Sequence, residues 1–126
     1  MAVVNVSKTK KVLVIDSDIV FQYALKSLLL SKLGNNLKVL QAFTIPEAER
    51  LFKENSDVDI IVVDNRVSGP QEDTVRLVKK IRRSYQGPIV ADSFWPDSRK
   101  ILVEAGCSHE ISKFGVFYLL KQLLGR

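Results

Sequence analysis

The run Asp59-Ile60-Ile61-Val62-Val63-Asp64 limits the folds open to this chain more than any other segment. Its unbroken β-branched apolar centre leaves no polar face. It reads as a strand covered on both sides, the pattern of a central strand in a parallel sheet. Such a strand holds no charge in its interior, so Asp64 falls at its carboxyl end, where open α/β sheets place their ligand sites. Other runs end in a similar way. Lys11-Val12-Leu13-Val14-Ile15 is followed by Asp16, Ser17 and Asp18. Pro88-Ile89-Val90-Ala91-Asp92 ends in Ser93, and residues 107–112 lead to Lys113. Carboxylates, a hydroxyl and an amine thus close successive strand-like runs.

The rest of the chain alternates with these runs. Strands are expected at residues 11–16, 37–43, 58–64, 88–92 and 107–112. A helix over 18–33 carries Phe21, Leu25, Leu28 and Leu29 at helical spacing and stops at Gly34-Asn35. Thr44-Ile45-Pro46-Glu47 opens a second helix with a capping-box pattern and a proline in the first turn. Ser68-Gly69-Pro70-Gln71 opens a third over 71–84, with Ser68 as its expected cap. Pro96-Asp97-Ser98 opens a fourth that Gly106 closes, and a fifth covers 115–124. Residues 1–10 read as a frayed tail and 11–126 as one domain. Repeated βα units imply an α/β fold with right-handed crossovers and helices on both faces of a parallel sheet. The flavodoxin-like strand order 2-1-3-4-5 puts its switch point between strands one and three, those ending in Asp16 and Asp64.

Composition narrows the function classes. A chain of 126 residues, 46% hydrophobic and 26% charged, is an ordinary globular domain able to bury a core. No apolar stretch is long enough to cross a bilayer, and residues 1–11 lack a signal-peptide core, so no membrane association is expected. The single cysteine, Cys107, excludes an internal disulfide framework and fits a reducing cytoplasm. Cys107 itself reads as a small core residue, and His109, with no ligand partner at metal spacing, as structural or exposed. Net charge is +5, which favours anionic partners in general. Here Arg76, Lys79, Lys80, Arg82 and Arg83 interleave with Val75, Leu77, Val78 and Ile81, the pattern of a covering helix with a solvated face. No stacking aromatics accompany them, so nucleic acid is not the expected partner.

Val12-Leu13-Val14-Ile15-Asp16, Asp64, Ser93 and Lys113, each at the end of its own strand and in this order, resemble the receiver domain of two-component response regulators. The resemblance covers about residues 10–124. It implies that Asp64 accepts a phosphoryl group from a histidine kinase or phosphotransfer protein. A carboxylate is a poor nucleophile toward an anionic phosphate, so the chemistry needs a divalent cation. The resemblance implies Mg²⁺ held by Asp16, Asp64 and the backbone carbonyl of Arg66, with Ser17 or Asp18 as a further candidate ligand. It gives Lys113 the role of holding a phosphoryl oxygen and Ser93 that of donating a hydroxyl to it. The helix 4–strand 5–helix 5 face, with Lys100, Glu104, Glu110 and Lys121, is the expected surface for a downstream protein.

The chain also departs from the family pattern. Where the first strand usually ends in two adjacent acids, the second residue here is Ser17, and weak Mg²⁺ binding is expected. The Arg66 guanidinium lies where it could enter the site in place of a cation. Phe94 occupies a position that is commonly small, which implies restricted access to Asp64. The family's Lys-Pro step is Lys113-Phe114, expected trans. Glu110 stands where the family often has an aromatic switch residue.

Simpler roles compete for each residue. Asp16 and Asp18 suit helix caps, Ser93 suits a cap of the fourth helix, Lys113 suits a surface lysine, and Phe94 and Trp95 suit cover for the sheet edge. The expected function is a stand-alone receiver signalling by protein–protein interaction, not an enzyme beyond self-catalysed phosphotransfer and dephosphorylation at Asp64. The alternative is a phosphorylation-independent pseudo-receiver, an interaction module in which Arg66 and Lys113 neutralise Asp64. Asp16-Ser17-Asp18-Ile19-Val20 also matches the D-x-D-x-[TV] motif of haloacid dehalogenase-type phosphatases. That reading leaves Asp64 without a role and finds no acidic pair after Lys113.

Overall fold

The computed structural model describes residues 8–126. The order of elements is β1 (Lys10–Ile15), α1 (Ile19–Leu33), β2 (Leu37–Ala42), α2 (Ile45–Glu54), β3 (Ile60–Val63), α3 (Gln71–Arg82), β4 (Ile89–Ala91), α4 (Pro96–Ala105), β5 (His109–Glu110) and α5 (Val116–Leu124). The five strands form one parallel sheet in the order β2-β1-β3-β4-β5. This is the flavodoxin-like, doubly wound arrangement expected from the sequence. Residues 1–7 of the expected tail lie outside the described residues, whereas Lys10 already pairs with Leu37 in β1. Among the described residues no helix is long and apolar enough to cross a membrane.

Alternation along each buried strand sends side chains to both faces. Leu13, Ile15, Ile61, Val63, Ile89 and Ala91 pack with Ala48 of α2, Leu77, Val78 and Ile81 of α3 and Leu102 of α4. Val12, Val14, Ile60, Val62 and Val90 pack with Leu25 and Leu29 of α1 and Val116, Leu120 and Leu124 of α5. Because both faces are covered, the buried stretches, residues 12–15 of β1, Ile60–Val63 of β3 and Ile89–Ala91 of β4, carry no polar residue before they emerge at their carboxyl ends.

Local signals set the helix ends. Asp18 caps α1 by accepting the Phe21 N–H at 3.1 Å. Thr44 Oγ1 accepts the Glu47 N–H at 3.2 Å, and Glu47 Oε1 accepts the Phe43 N–H at 3.1 Å. Gly106 ends α4 with φ of 140°, a conformation that strains residues carrying a Cβ. The expected Ser68 cap of α3 is not formed. Pro70 occupies the cap position with no side-chain bond, and Ser68 Oγ instead accepts the Ile45 N–H at 3.3 Å, tying that loop to the start of α2.

Several strands are shorter than their apolar runs. β5 pairs only at His109 and Glu110. It lies at the sheet edge; the Cys107 N–H turns back to the Leu102 carbonyl of α4, and Ser112 accepts from Gly115 in the turn to α5. The basic stretch of α3 largely faces solvent, except Arg82. Its guanidinium donates to the carbonyls of Gly106, Tyr85 and Gly87 at 2.8–2.9 Å, bracketing the loops beside α3.

Candidate functional site

Register places three aspartates side by side. Ile15 pairs with Val63, and Val63 with Ala91. The next residues, Asp16, Asp64 and Asp92, therefore form one row across β1, β3 and β4. Their backbones stay tied to the sheet: Asp16 N–H donates to Ala42, Asp64 N–H to Ile15 and Asp92 N–H to Val63, at 2.9–3.2 Å. One carboxylate oxygen from each side chain lies within 4.8 Å of the others. A cluster of hard oxygen donors at this spacing fits a divalent cation such as Mg²⁺.

Asp16 and Asp64 were expected here; Asp92 was not. Its signal was present, since Asp92 follows Ala91 as Asp64 follows Val63, but the family pattern drew attention to the next residue, Ser93. Asp92 is fully buried, and neither of its carboxyl oxygens has a hydrogen-bond partner among the described residues. Gln22 of α1 was also missed. It is buried, and its side-chain amide donates to the carbonyls of Val14, Asp16 and Ala42 at 2.9–3.1 Å, fixing the carboxyl ends of β1 and β2.

Lys113 reaches into this row from the loop after β5. Its side chain is 6% exposed; its ammonium bonds Asp16 Oδ2 and stands 3.7 Å from Asp64 Oδ1. Its Nζ lies 4.1 Å from the centroid of the Phe21 ring and 5.7 Å from that of Phe94. Lys113 is thus no ordinary surface lysine. Burial pulls its pKa down, but the charges of Asp92, Asp16 and Asp64 and the bond to Asp16 outweigh that and hold it above the usual lysine value. Burial pushes the Asp16 carboxyl up, against the lowering pull of Lys113 and of the Asp18 N–H that donates to Asp16 Oδ1. Burial pushes Asp92 well above the usual range, again against Lys113 and with the help of Asp16 and Asp64.

The other candidates sit around this row. Ser93 is fully buried next to Asp92, and its Oγ accepts the Trp95 N–H at 3.1 Å. The expected Ser93 cap of the fourth helix is not formed, because Trp95 holds the cap position of α4 with no side-chain bond. Ser17 is exposed, and Asp18 is exposed and committed to the α1 cap. Arg66 follows two residues after Asp64 in the β3–α3 loop. Its side chain lines a surface groove with Pro70, Gln71, Glu72 and Arg76, and it makes no ion pair with Asp64 among the described residues. The expected entry of its guanidinium into the site is therefore not seen; the loop carries it toward α3 instead. Phe94 is half-exposed and packs on Phe114 with ring centroids 5.3 Å apart, at the rim of the site beside Lys113. Trp95 is also exposed. No cis peptide occurs among the described residues, so Lys113-Phe114 is trans as expected. Glu110 is exposed and accepts from Arg99 Nε at 3.2 Å, while Arg99 Nη1 donates to the Ser93 carbonyl at 2.8 Å.

No protein-family model matches the sequence, and no curated protein matches it. Solved structures do match. A two-component response regulator from Clostridium difficile superposes with a TM-score of 0.77 at 26% identity, covering 93% of this chain and 97% of that one. A putative response regulator from Chloroflexus aurantiacus gives 0.75 at 23% identity, over 94% and 100% of the two chains. A chain from the complex of the P1 domain of CheA3 with CheY6 from R. sphaeroides gives 0.74 at 16% identity, over 95% and 100%. The fold of this chain is that of a response regulator receiver domain along nearly its whole length.

Proposed function

We propose that this receiver domain accepts a phosphoryl group on Asp64 and passes the signal on by binding another protein. The observation that carries the reading is the position of Asp64. Its side chain, 14% exposed, is the most open of the three clustered carboxylates and has an ammonium 3.7 Å away. In the proposed step an Asp64 oxygen forms a bond to phosphorus as the donor's bond to the same phosphorus breaks. Mg²⁺ held by Asp16, Asp64 and the Arg66 carbonyl would neutralise the approaching anions. Lys113 would exchange part of its contact with Asp16 for a phosphoryl oxygen, and Ser93, whose Oγ accepts the Trp95 N–H and so keeps its own proton free, would donate its hydroxyl to another. The donor is a histidine kinase or phosphotransfer protein in the cytoplasm. The CheA3 P1–CheY6 complex found among the structural neighbours supports a partner of that kind.

A specific observation favours a second reading, the phosphorylation-independent pseudo-receiver. Lys113 already neutralises Asp16 and faces Asp64, so an ammonium holds part of the place a metal would take. The phosphatase reading has no such support, because it needs Asp18 as acid/base and that side chain caps α1. Mass spectrometry after incubation with a small phosphodonor and Mg²⁺ tests the proposal. Wild type gains one phosphoryl group and Asp64→Asn gains none. Failure to label wild type with either a small donor or a kinase moves the assignment to the pseudo-receiver.

A further inference from the structure

We propose that Asp92 is the third carboxylate ligand of a divalent-cation site shared with Asp16 and Asp64, taking over at the end of β4 the charge that Ser17 does not supply at the end of β1. The inference rests on the receiver reading of the same site and adds a ligand that reading does not contain.

Asp92 is 0% exposed, and both of its oxygens lack a hydrogen-bond partner among the described residues. Burying a carboxyl without a partner is costly, and native structures rarely keep one without a ligand or function to match. The side chain is aimed into the cluster: a carboxylate oxygen lies within 4.8 Å of oxygens from both Asp16 and Asp64. The Lys113 ammonium bonds Asp16 instead. A carboxylate offers about four lone-pair sites. Of the hydrogen bonds found in the cluster, only those from Lys113 and the Asp18 N–H occupy any, and both fall on Asp16. The oxygens of Asp64 and Asp92 remain open to an ion.

Geometry favours Asp92 over the residues next to Asp16. Ser17 and Asp18 are exposed, and Asp18 is held by the helix cap. Asp92 instead continues the β4 register directly beside Asp64. Affinity at an all-oxygen site rises with the number of charged ligands, so Asp92, once an arriving ion displaces its carboxyl proton to solvent, offsets a neutral residue at position 17.

The test is Mg²⁺ titration of the whole chain by isothermal calorimetry, with the metal-induced shift in thermal midpoint as a second readout. Wild type binds one ion and its midpoint rises. Asp92→Asn and Asp92→Leu weaken binding about tenfold or more and lose the shift, whereas Asp18→Asn, which keeps the cap, binds as wild type does. A folded Asp92 variant that binds Mg²⁺ like wild type overturns the inference and leaves phosphorylation of Asp64 standing, as read by phosphodonor labelling. Absence of Mg²⁺ binding by wild type overturns it too, and labelling then decides the receiver reading separately. Should both Asp92 variants fail to fold, the carboxyl ¹³C signal of Asp92 in wild type is followed as Mg²⁺ is added. A signal that moves with saturation supports the assignment; one that stays fixed overturns it.

Discussion

The Lys113 ammonium bonds Asp16 at the end of β1 and stands 3.7 Å from Asp64, the carboxylate it was expected to serve. Both partners are almost fully buried, at 6% and 1% side-chain exposure. Removing one partner of such a pair leaves an uncompensated charge. Lys113→Ala is therefore expected to cost about 3 kcal/mol in urea denaturation without metal. Added Mg²⁺ should restore part of that loss, since the ion can neutralise the same carboxylates. Stability unchanged by the substitution would show that the pair is solvated rather than buried.

Arg99 joins Glu110 to the backbone of Ser93. Glu110 is half-exposed, so its ion pair with Arg99 is worth less than about 1 kcal/mol. The Arg99 bond to the Ser93 carbonyl is better shielded and steadies the loop whose Trp95 N–H bonds Ser93 Oγ. Hydrogen exchange should show the Trp95 amide exchanging faster in Arg99→Ala, and less so in Glu110→Ala. Glu110→Ala should also alter binding of a downstream partner more than binding of Mg²⁺, because Glu110 lies outside the acidic row. Equal loss of both would place Glu110 in the metal site.

The sheet was legible because burial on both faces leaves a plain mark, unbroken apolar runs such as Ile60-Ile61-Val62-Val63. Their order, with helical patterns between, implied a parallel sheet with helices on both faces, and the order 2-1-3-4-5 came with the flavodoxin-like resemblance. The site was legible only in part. Asp16 and Asp64 announce themselves because a charge ends an apolar strand. Asp92 carries the same mark, but whether a strand-end side chain turns into the site or away from it depends on register across strands, which one sequence does not display. The fates of Arg66 and Ser68 depended on loop paths, and Gln22 on a contact between α1 and the ends of two strands. None of these follows from local pattern.

Ser17 and Arg66 now separate in their expected effects. Ser17 is exposed at the end of β1, beside Asp16, and Ser17→Asp adds a carboxylate there. Mg²⁺ affinity, read from Trp95 fluorescence, should tighten about tenfold. The Arg66 side chain lies in the groove against Gln71 and Glu72, so Arg66→Ala should change the affinity little. Asp64→Ala should abolish the response. A tightening by Arg66→Ala as large as that by Ser17→Asp would show that the guanidinium does reach the cation.

The last prediction concerns alkaline pH. Burial pushes the Cys107 thiol from 9.0 up to about 12 and the Tyr85 hydroxyl from 10.0 up to about 12. An acid whose pKa is raised by folding keeps its proton in the native state while the unfolded chain releases it. Stability therefore falls as pH rises through the interval between the two values. For Cys107 that interval runs from 9.0 to about 12, and for Tyr85 from 10.0 to about 12. Lys113 has the same sign. Its native pKa is held above 10.5, so the stability it contributes is present at lower pH and lost as pH climbs through the native value. The thermal midpoint should thus begin to fall near pH 9 in wild type. In Cys107→Ala the fall should begin about one pH unit later, where Tyr85 starts to titrate in the unfolded chain. Near neutral pH the Cys107 thiol, protonated and 5% exposed, should resist iodoacetamide until denaturant is added. Rapid alkylation of the native protein, or identical alkaline profiles for wild type and Cys107→Ala, would show that the thiol is not buried under α4 as the fold places it.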